Sequence, residues 1–111
     1  MKMTLRTFAI FSIILTLSTV GLADIRIRFA RGRTSATVTG SVRAGGRVCY
    51  VAGARRGQTV NGVLSSRSGK VIFFESGETS YSFVVERNGD QSLCVDNLGR
   101  ATTYTMTVSI Q

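Results

Sequence analysis

The chain contains no histidine, no tryptophan and no proline. Without histidine, neither a Ser-His-Asp nor a Cys-His catalytic arrangement can be built, and most zinc sites are excluded as well. Residues 24–111 contain no stretch that keeps a helical apolar period for three turns, so we expect no helix there. The two cysteines are not in a Cys-x-x-Cys arrangement, which argues against a redox site.

Acidic groups are also scarce, since the chain has only six Asp and Glu residues. Nothing in the sequence places two of them in one cleft, so we expect solvated acids, not the carboxylate pair of a glycoside hydrolase. Asp90 and Asp96 flank a predicted strand and could form a weak calcium site, but a spacing-defined loop needs more oxygen ligands. We therefore predict a protein that is not an enzyme, with no catalytic residue, no metal and no cofactor.

The first 23 residues carry Lys2 and Arg6 ahead of an apolar run that ends at small residues. This order is typical of a secretory signal peptide, and we predict cleavage after Ala23. A membrane anchor is the alternative. However, the apolar run 8–22 contains four Ser and Thr residues and is shorter than the about 20 residues that a spanning helix needs. We expect a periplasmic or secreted protein with no membrane anchor in its mature form.

The predicted mature part, residues 24–111, is long enough for one domain with a modest core. The chain carries 14 Lys and Arg residues and a net charge of +8, which the loss of Lys2 and Arg6 lowers by two, to +6. Lys70 is the only lysine of this part, and eleven arginines supply the other positive charges. Arginine pairs bidentately with carboxylate or phosphate, so this excess favours contact with a protein or a polyanion. An evenly scattered solvated surface is the alternative.

We expect no nucleic-acid partner. An exported domain seldom meets it, and the sequence lacks the interleaved aromatic and basic residues that stack on single strands. Tyr50, Tyr81 and Tyr104 alternate with core positions instead, and we expect buried rings whose hydroxyls contact water.

Apolar and polar residues alternate with a period of two along most of residues 24–111, as in half-buried strands. The clearest example is the last segment, where Tyr104, Met106, Val108 and Ile110 alternate with Thr and Ser. The pattern predicts eight strands at residues 25–29, 35–42, 47–52, 58–65, 70–75, 81–87, 91–95 and 101–110. Seven or eight short strands with Gly and Asn at their joints indicate an all-β fold, a small antiparallel β-sandwich of the jelly-roll type.

Two local signals add detail to this sandwich. Asn88 and Gly89 lie between the predicted sixth and seventh strands, where Asn-Gly is the strongest short-range signal for a hairpin. The fifth strand, 70–75, is apolar on both faces, as expected of a strand that is covered on each side.

Cys49 and Cys94 form an even pair in a short domain. In an oxidising compartment such a pair is usually bridged, so we predict a Cys49–Cys94 disulfide. Closing this loop would stabilise the fold by roughly 4 kcal/mol by restricting the unfolded chain. Two separately buried thiols are the alternative.

The sequence also resembles the periplasmic inhibitors of goose-type lysozyme. It is similar as well to the wider set of bacterial pre-peptidase C-terminal β-sandwich domains, from which this pattern does not separate the inhibitors. The matching positions are Phe29, Gly32, Thr34, Ser35, Ala36, Gly40, Tyr50, Ala54, Gly57, Gln58, Val60, Tyr104, Val108 and Ile110. The first resemblance implies a non-catalytic protein whose loops at one end of the sandwich enter the acidic cleft of a lysozyme. The loops would be residues 43–47 and 97–100, with Arg100 as the leading partner-binding residue and Arg43 and Arg47 next. The second resemblance implies adhesion or binding to an envelope glycan.

Overall fold

The structure, a computed structural model, describes residues 24–111. The predicted signal peptide, residues 1–23, and the cleavage site at its end lie outside the described residues. Residues 24–111 fold into strands and loops without a helix, so this part of the chain offers no apolar helix that could cross a bilayer. The prediction of an all-β fold is confirmed.

Eight strands form two sheets of four strands each. In chain order they are β1 (Ile25–Arg26), β2 (Ser35–Val42), β3 (Arg47–Ala54), β4 (Thr59–Ser66), β5 (Val71–Phe73), β6 (Ser80–Val84), β7 (Gly89–Asn97) and β8 (Thr102–Ile110). Sheet 1 has the order β1-β3-β7-β5, and sheet 2 has the order β2-β8-β4-β6. Odd-numbered strands thus form one sheet and even-numbered strands the other. Every connection therefore crosses from one sheet to the other.

The predicted hairpin at Asn88 and Gly89 is wrong, because β6 pairs with β4 whereas β7 lies between β3 and β5. The Asn88 side-chain oxygen instead accepts a hydrogen bond from the backbone N–H of Arg56 at 2.7 Å. Gly89 begins β7 with a φ of 128°, a conformation that glycine adopts without strain. The Asn-Gly pair therefore carries the chain between sheets. Within the sheets, all neighbours are antiparallel except β1, which runs parallel to β3.

The core lies between the two sheets and follows the predicted alternation. In β8 the residues Tyr104, Met106, Val108 and Ile110 are buried, while the side chains between them face outward. Phe73 from sheet 1 is fully buried and comes so close to β4 that a Cβ on Gly62 would lie 2.7 Å from its ring. The sandwich is thus closed by side chains from both inner faces.

Two tyrosine hydroxyls meet inside this core. Tyr50 on β3 and Tyr104 on β8 are 4% and 2% exposed, and their hydroxyl oxygens lie 2.6 Å apart. The expectation that these hydroxyls contact water is wrong for this pair, since they hydrogen-bond to each other across the sheets. Gly40 provides the space, because a Cβ there would lie 2.7 Å from the Tyr104 hydroxyl oxygen. Burial and the bond to Tyr50 raise the pKa of Tyr104.

Cys49 and Cys94 form the predicted disulfide. They face each other in the antiparallel register of β3 and β7, with their Cα atoms 4.0 Å apart. The adjacent residues Tyr50 and Leu93 point into the core, so the cysteine side chains point the other way. The bridge therefore joins the two central strands of sheet 1 on its outer face.

The strands at the edges of sheet 1 are shorter than predicted. β1 covers only two of the predicted residues 25–29, and Ile25, an apolar residue at its start, is half exposed. β5 lies at the opposite edge. Within β5, Val71 and Phe73 are buried and Ile72 between them is partly exposed, so the prediction that both faces of the fifth strand are covered holds fully for its inner face only. Phe74, just beyond the end of β5, is 53% exposed.

Candidate partner-binding site

Apart from the tyrosine pair in the core, Asn97 is the only buried polar residue among residues 24–111, with 2% exposure. Its amide nitrogen donates to the carbonyl oxygens of Val42 and Arg43 at 3.2 Å each, and to that of Arg100 at 2.7 Å. Its side-chain oxygen accepts a hydrogen bond from the backbone N–H of Gly99 at 2.9 Å. One side chain thus links the two arginine-bearing loops that the sequence singled out.

Backbone hydrogen bonds complete this junction. The N–H of Gly45 donates to the carbonyl of Asn97, and the N–H of Asn97 donates to the carbonyl of Gly46, both at 3.1 Å. The N–H of Leu98 donates to the carbonyl of Lys70 at 2.9 Å, which adds a third loop. Residues 43–46, 67–70 and 98–101 therefore meet at one end of the sandwich, which we call the Asn97 end.

Positive charge dominates the Asn97 end. Its loops and adjoining strand ends carry Arg43, Arg47, Arg67, Lys70 and Arg100, against the single acid Asp96. Among the described residues, only Arg47 of these five cations has a carboxylate within 4.0 Å. The other four side chains are exposed and available to an anionic group of a partner.

Arg47 is held by two neighbours. Its Nε and Nη2 atoms donate to the Asp96 carboxylate at 2.6 and 3.1 Å, and its guanidinium carbon lies 3.9 Å from the centre of the Phe74 ring. The hydrogen bonds with Asp96 raise the pKa of Arg47 above its ordinary value. Because Asp96 offsets its charge, Arg47 would attract an anionic group of a partner less strongly than an unpaired arginine. Its role in binding stays a prediction.

A shallow depression of about 420 Å³ lies beside the junction of the loops. Its lining is formed by Gly45, Gly46, Arg47, Asp96, Asn97 and Leu98. Leu98 is 68% exposed at this depression, so a partner could remove its apolar surface from water. Sequence reasoning placed this residue in the loop but gave it no role, because a single leucine between Asn and Gly carries no periodic signal.

The structure brings the backbones of Arg43 and Arg100 together through one shared side chain, and it places Arg47 at the adjoining start of β3. These are the three residues that the sequence analysis proposed. Arg67 and Lys70, in the same group of loops, were missed. The Ser and Gly residues around them mark a turn between two strands, but such a signal does not reveal which other loops lie beside it.

The two carboxylates considered for calcium each bind an arginine instead. Asp90 accepts two hydrogen bonds from the Arg26 guanidinium, at 3.0 and 2.6 Å, and Asp96 accepts those of Arg47. The bonds from Arg26 lower the pKa of Asp90. In the part of the chain that the structure describes, no three Asp, Glu or Cys side chains are grouped so that they could hold a metal ion.

Comparison with known proteins identifies the fold. No protein-family model and no curated protein sequence matches the chain. Among solved structures, the periplasmic inhibitor of g-type lysozyme from Aeromonas hydrophila matches with a TM-score of 0.66 and 20% identity, over 80% of this chain and 96% of that one. The inhibitor from Salmonella Typhimurium matches with a TM-score of 0.63 and 19% identity, over 79% and 97% of the two chains. A mutant of the inhibitor from Escherichia coli gives 0.62 and 18%, with the same coverage. The chain therefore has the fold of the periplasmic inhibitors of g-type lysozyme.

Proposed function

We propose that the protein is an exported, non-catalytic inhibitor that binds a lysozyme with its Asn97 end. The observation that carries this proposal is the junction at Asn97, where three loops are tied together and four exposed cations lack a carboxylate partner among the described residues. The structural match to three inhibitors of g-type lysozyme supports the same function. The signal-peptide pattern at residues 1–23 is consistent with action in the periplasm or outside the cell.

The target chemistry follows from the charge of this end. Glycoside hydrolases typically cut with a pair of carboxylic acids placed about the scissile bond. An arginine that reaches such a carboxylate forms a charge-assisted, often bidentate pair. Complementary charge also speeds the encounter between the two proteins. Arg100 and Arg43 fit this role better than Arg47, because the charge of Arg47 is already offset by Asp96.

The fixed geometry of the loops favours tight binding. A flexible loop loses conformational freedom when it enters a cleft, and that loss weakens binding. Here, Asn97 already holds the backbones of Arg43 and Arg100 in the free protein. These loops therefore lose less conformational freedom when a partner binds.

The direct test is the lysis of bacterial cell walls by a goose-type lysozyme with increasing amounts of the purified exported protein. We expect inhibition at micromolar concentration or below, weakened by added salt. Lysis that is unchanged at micromolar inhibitor would refute the proposed function.

Single variants then test the assignment of the site. Arg100→Ala should raise the inhibition constant about tenfold, corresponding to about 1.4 kcal/mol. The matched control is Arg31→Ala, which removes the same charge from the opposite end of the sandwich and should change the constant less than twofold. Equal effects of the two variants would mean that net charge, and not the Asn97 end, governs inhibition.

A further inference from the structure

A second group of loops meets at the end of the sandwich opposite Asn97. The N–H of Gly57 donates to the carbonyl of Val85, and the N–H of Val85 donates to the carbonyl of Gln58, both at 2.8 Å. The bond from the Arg56 N–H to the Asn88 side chain, at 2.7 Å, joins the same two loops again. The connection between β3 and β4 is thus fixed against the connection between β6 and β7.

The connection between β1 and β2 reaches this end as well. It is anchored by the N–H of Ile110, which donates to the carbonyl of Thr34 at 2.8 Å. A shallow depression of about 220 Å³ lies where this loop meets the neighbouring one, lined by Phe29, Arg33, Thr34, Gly53, Gln58 and Ile110. Residues 29–34, 55–58 and 85–88 therefore form one surface, which we call the Gln58 end.

The Gln58 end carries five exposed arginines that are not paired within the described residues. They are Arg31, Arg33, Arg55, Arg56 and Arg87, and none has a carboxylate within 4.0 Å there. Of the two nearby acids, Asp90 is bound by Arg26 through two hydrogen bonds. Among the described residues of this end, only Glu86 remains to offset the five positive charges.

Solubility alone does not account for this arrangement. A soluble surface needs charges of both signs that are dispersed, whereas crowded like charges repel one another and destabilise the fold. Every cation here is arginine, which offers a planar fork for phosphate or carboxylate. The cluster fits a ligand that supplies several negative charges.

From this cluster we infer that the Gln58 end binds an anionic polymer that carries repeated phosphate or carboxylate groups. The depression beside Arg33 is shallow, and the arginines are distributed over three loops, so no single small anion would contact all of them. A chain with regularly spaced anions would pair with several guanidinium groups at once. The inference is independent of the proposed function, because it concerns the opposite end of the molecule.

Calorimetric titration of the exported protein tests this inference with three probes, namely polyphosphate, polygalacturonate and uncharged dextran. We expect binding to at least one of the two anionic polymers and none to dextran. The affinity should fall as the NaCl concentration rises from about 50 to about 200 mM. Each anionic group of the polymer that pairs with an arginine releases its counterion, and added salt opposes this release. The polymer that binds more tightly identifies phosphate or carboxylate as the preferred group. No binding to either anionic polymer at the lower salt concentration would overturn the inference.

Two triple variants with the same loss of charge locate the site. Arg33→Ser/Arg55→Ser/Arg56→Ser should weaken polymer binding at least tenfold and leave lysozyme inhibition unchanged. The matched control, with Arg43, Arg67 and Arg100 replaced by Ser, should weaken polymer binding less than threefold and reduce inhibition. Equal losses of polymer binding in the two variants would overturn the inference, since they would show a response to net charge. Urea unfolding of both variants verifies that each is folded.

Discussion

Replacing Asn97 with Ala should loosen the whole Asn97 end. The change leaves the carbonyl oxygens of Val42, Arg43 and Arg100 without their side-chain donor and the N–H of Gly99 without its acceptor. A protein hydrogen bond contributes about 1 kcal/mol net, and a buried group left unpaired costs about 1–3 kcal/mol. Three of these four bonds are only partly buried, so water can replace some of them. We expect the free energy of unfolding to fall by about 2–4 kcal/mol.

Equilibrium unfolding in urea measures this loss, with Asn61→Ala as the matched control. Asn61 is an exposed asparagine whose side chain accepts one hydrogen bond, from Ser82 at 2.6 Å, so its replacement should cost less than about 0.5 kcal/mol. Hydrogen exchange gives a second readout, because the amide protons of Gly45 and Leu98 should exchange faster in the Asn97 variant. If Asn97→Ala costs less than about 1 kcal/mol, or if these amides stay protected, the junction is not what holds the loops.

Three further predictions concern the sandwich itself. Replacing both Cys49 and Cys94 with Ser should lower the free energy of unfolding by about 4 kcal/mol, as measured by denaturant titration. The stability of the variant should equal that of the reduced wild-type protein, and a loss below about 1 kcal/mol would contradict the prediction. Gly40→Ala should cost about 1–3 kcal/mol by thermal unfolding, because its Cβ would collide with the Tyr104 hydroxyl. The control Gly53→Ala, whose Cβ would meet no atom closer than 3.9 Å, should stay within about 0.5 kcal/mol of wild type. The pKa of Tyr104 is raised in the folded protein, so the stability that it supports is complete below about pH 10 and is lost as the pH rises further. Tyr104→Phe should therefore flatten the alkaline decline, and an unchanged decline would assign it to other groups.

The disulfide joins two neighbouring strands, and its position is linked to that of the Arg47–Asp96 ion pair. A disulfide between neighbouring antiparallel strands sets the register of both strands. Two residues before Cys49 lies Arg47, and two residues after Cys94 lies Asp96, so the bridge places this ion pair in register. Without this pairing, Arg47 has the sequence signature of a free binding residue. The disulfide alone does not establish this pairing, because a disulfide can also join strands across the two sheets of a sandwich, so the ion pair follows only once β3 and β7 are known to be neighbours.

Other features could not be predicted from local sequence. Alternation identifies the buried residues of β2 and β8, because it depends only on the pleat of a single strand. It does not say which strands are neighbours, and for this reason the Asn-Gly signal predicts a hairpin that the fold does not contain at residues 88–89. The role of Asn97 was hidden for the same reason. An asparagine before Leu-Gly-Arg has the sequence signature of an ordinary turn, and its burial depends on loops that are distant in the chain.

The strict alternation between sheets also explains where the charge of this protein lies. Since every connection crosses from one sheet to the other, most of the loops gather at the two ends of the sandwich, and ten of the twelve cations of residues 24–111 lie there. On the outer face of sheet 1, by contrast, Arg26 is neutralised by Asp90. Two copies of the protein that met end to end would bring like charges together, which disfavours such contact. The partners proposed for the two ends, an enzyme cleft at the Asn97 end and an anionic polymer at the Gln58 end, would both supply negative charge.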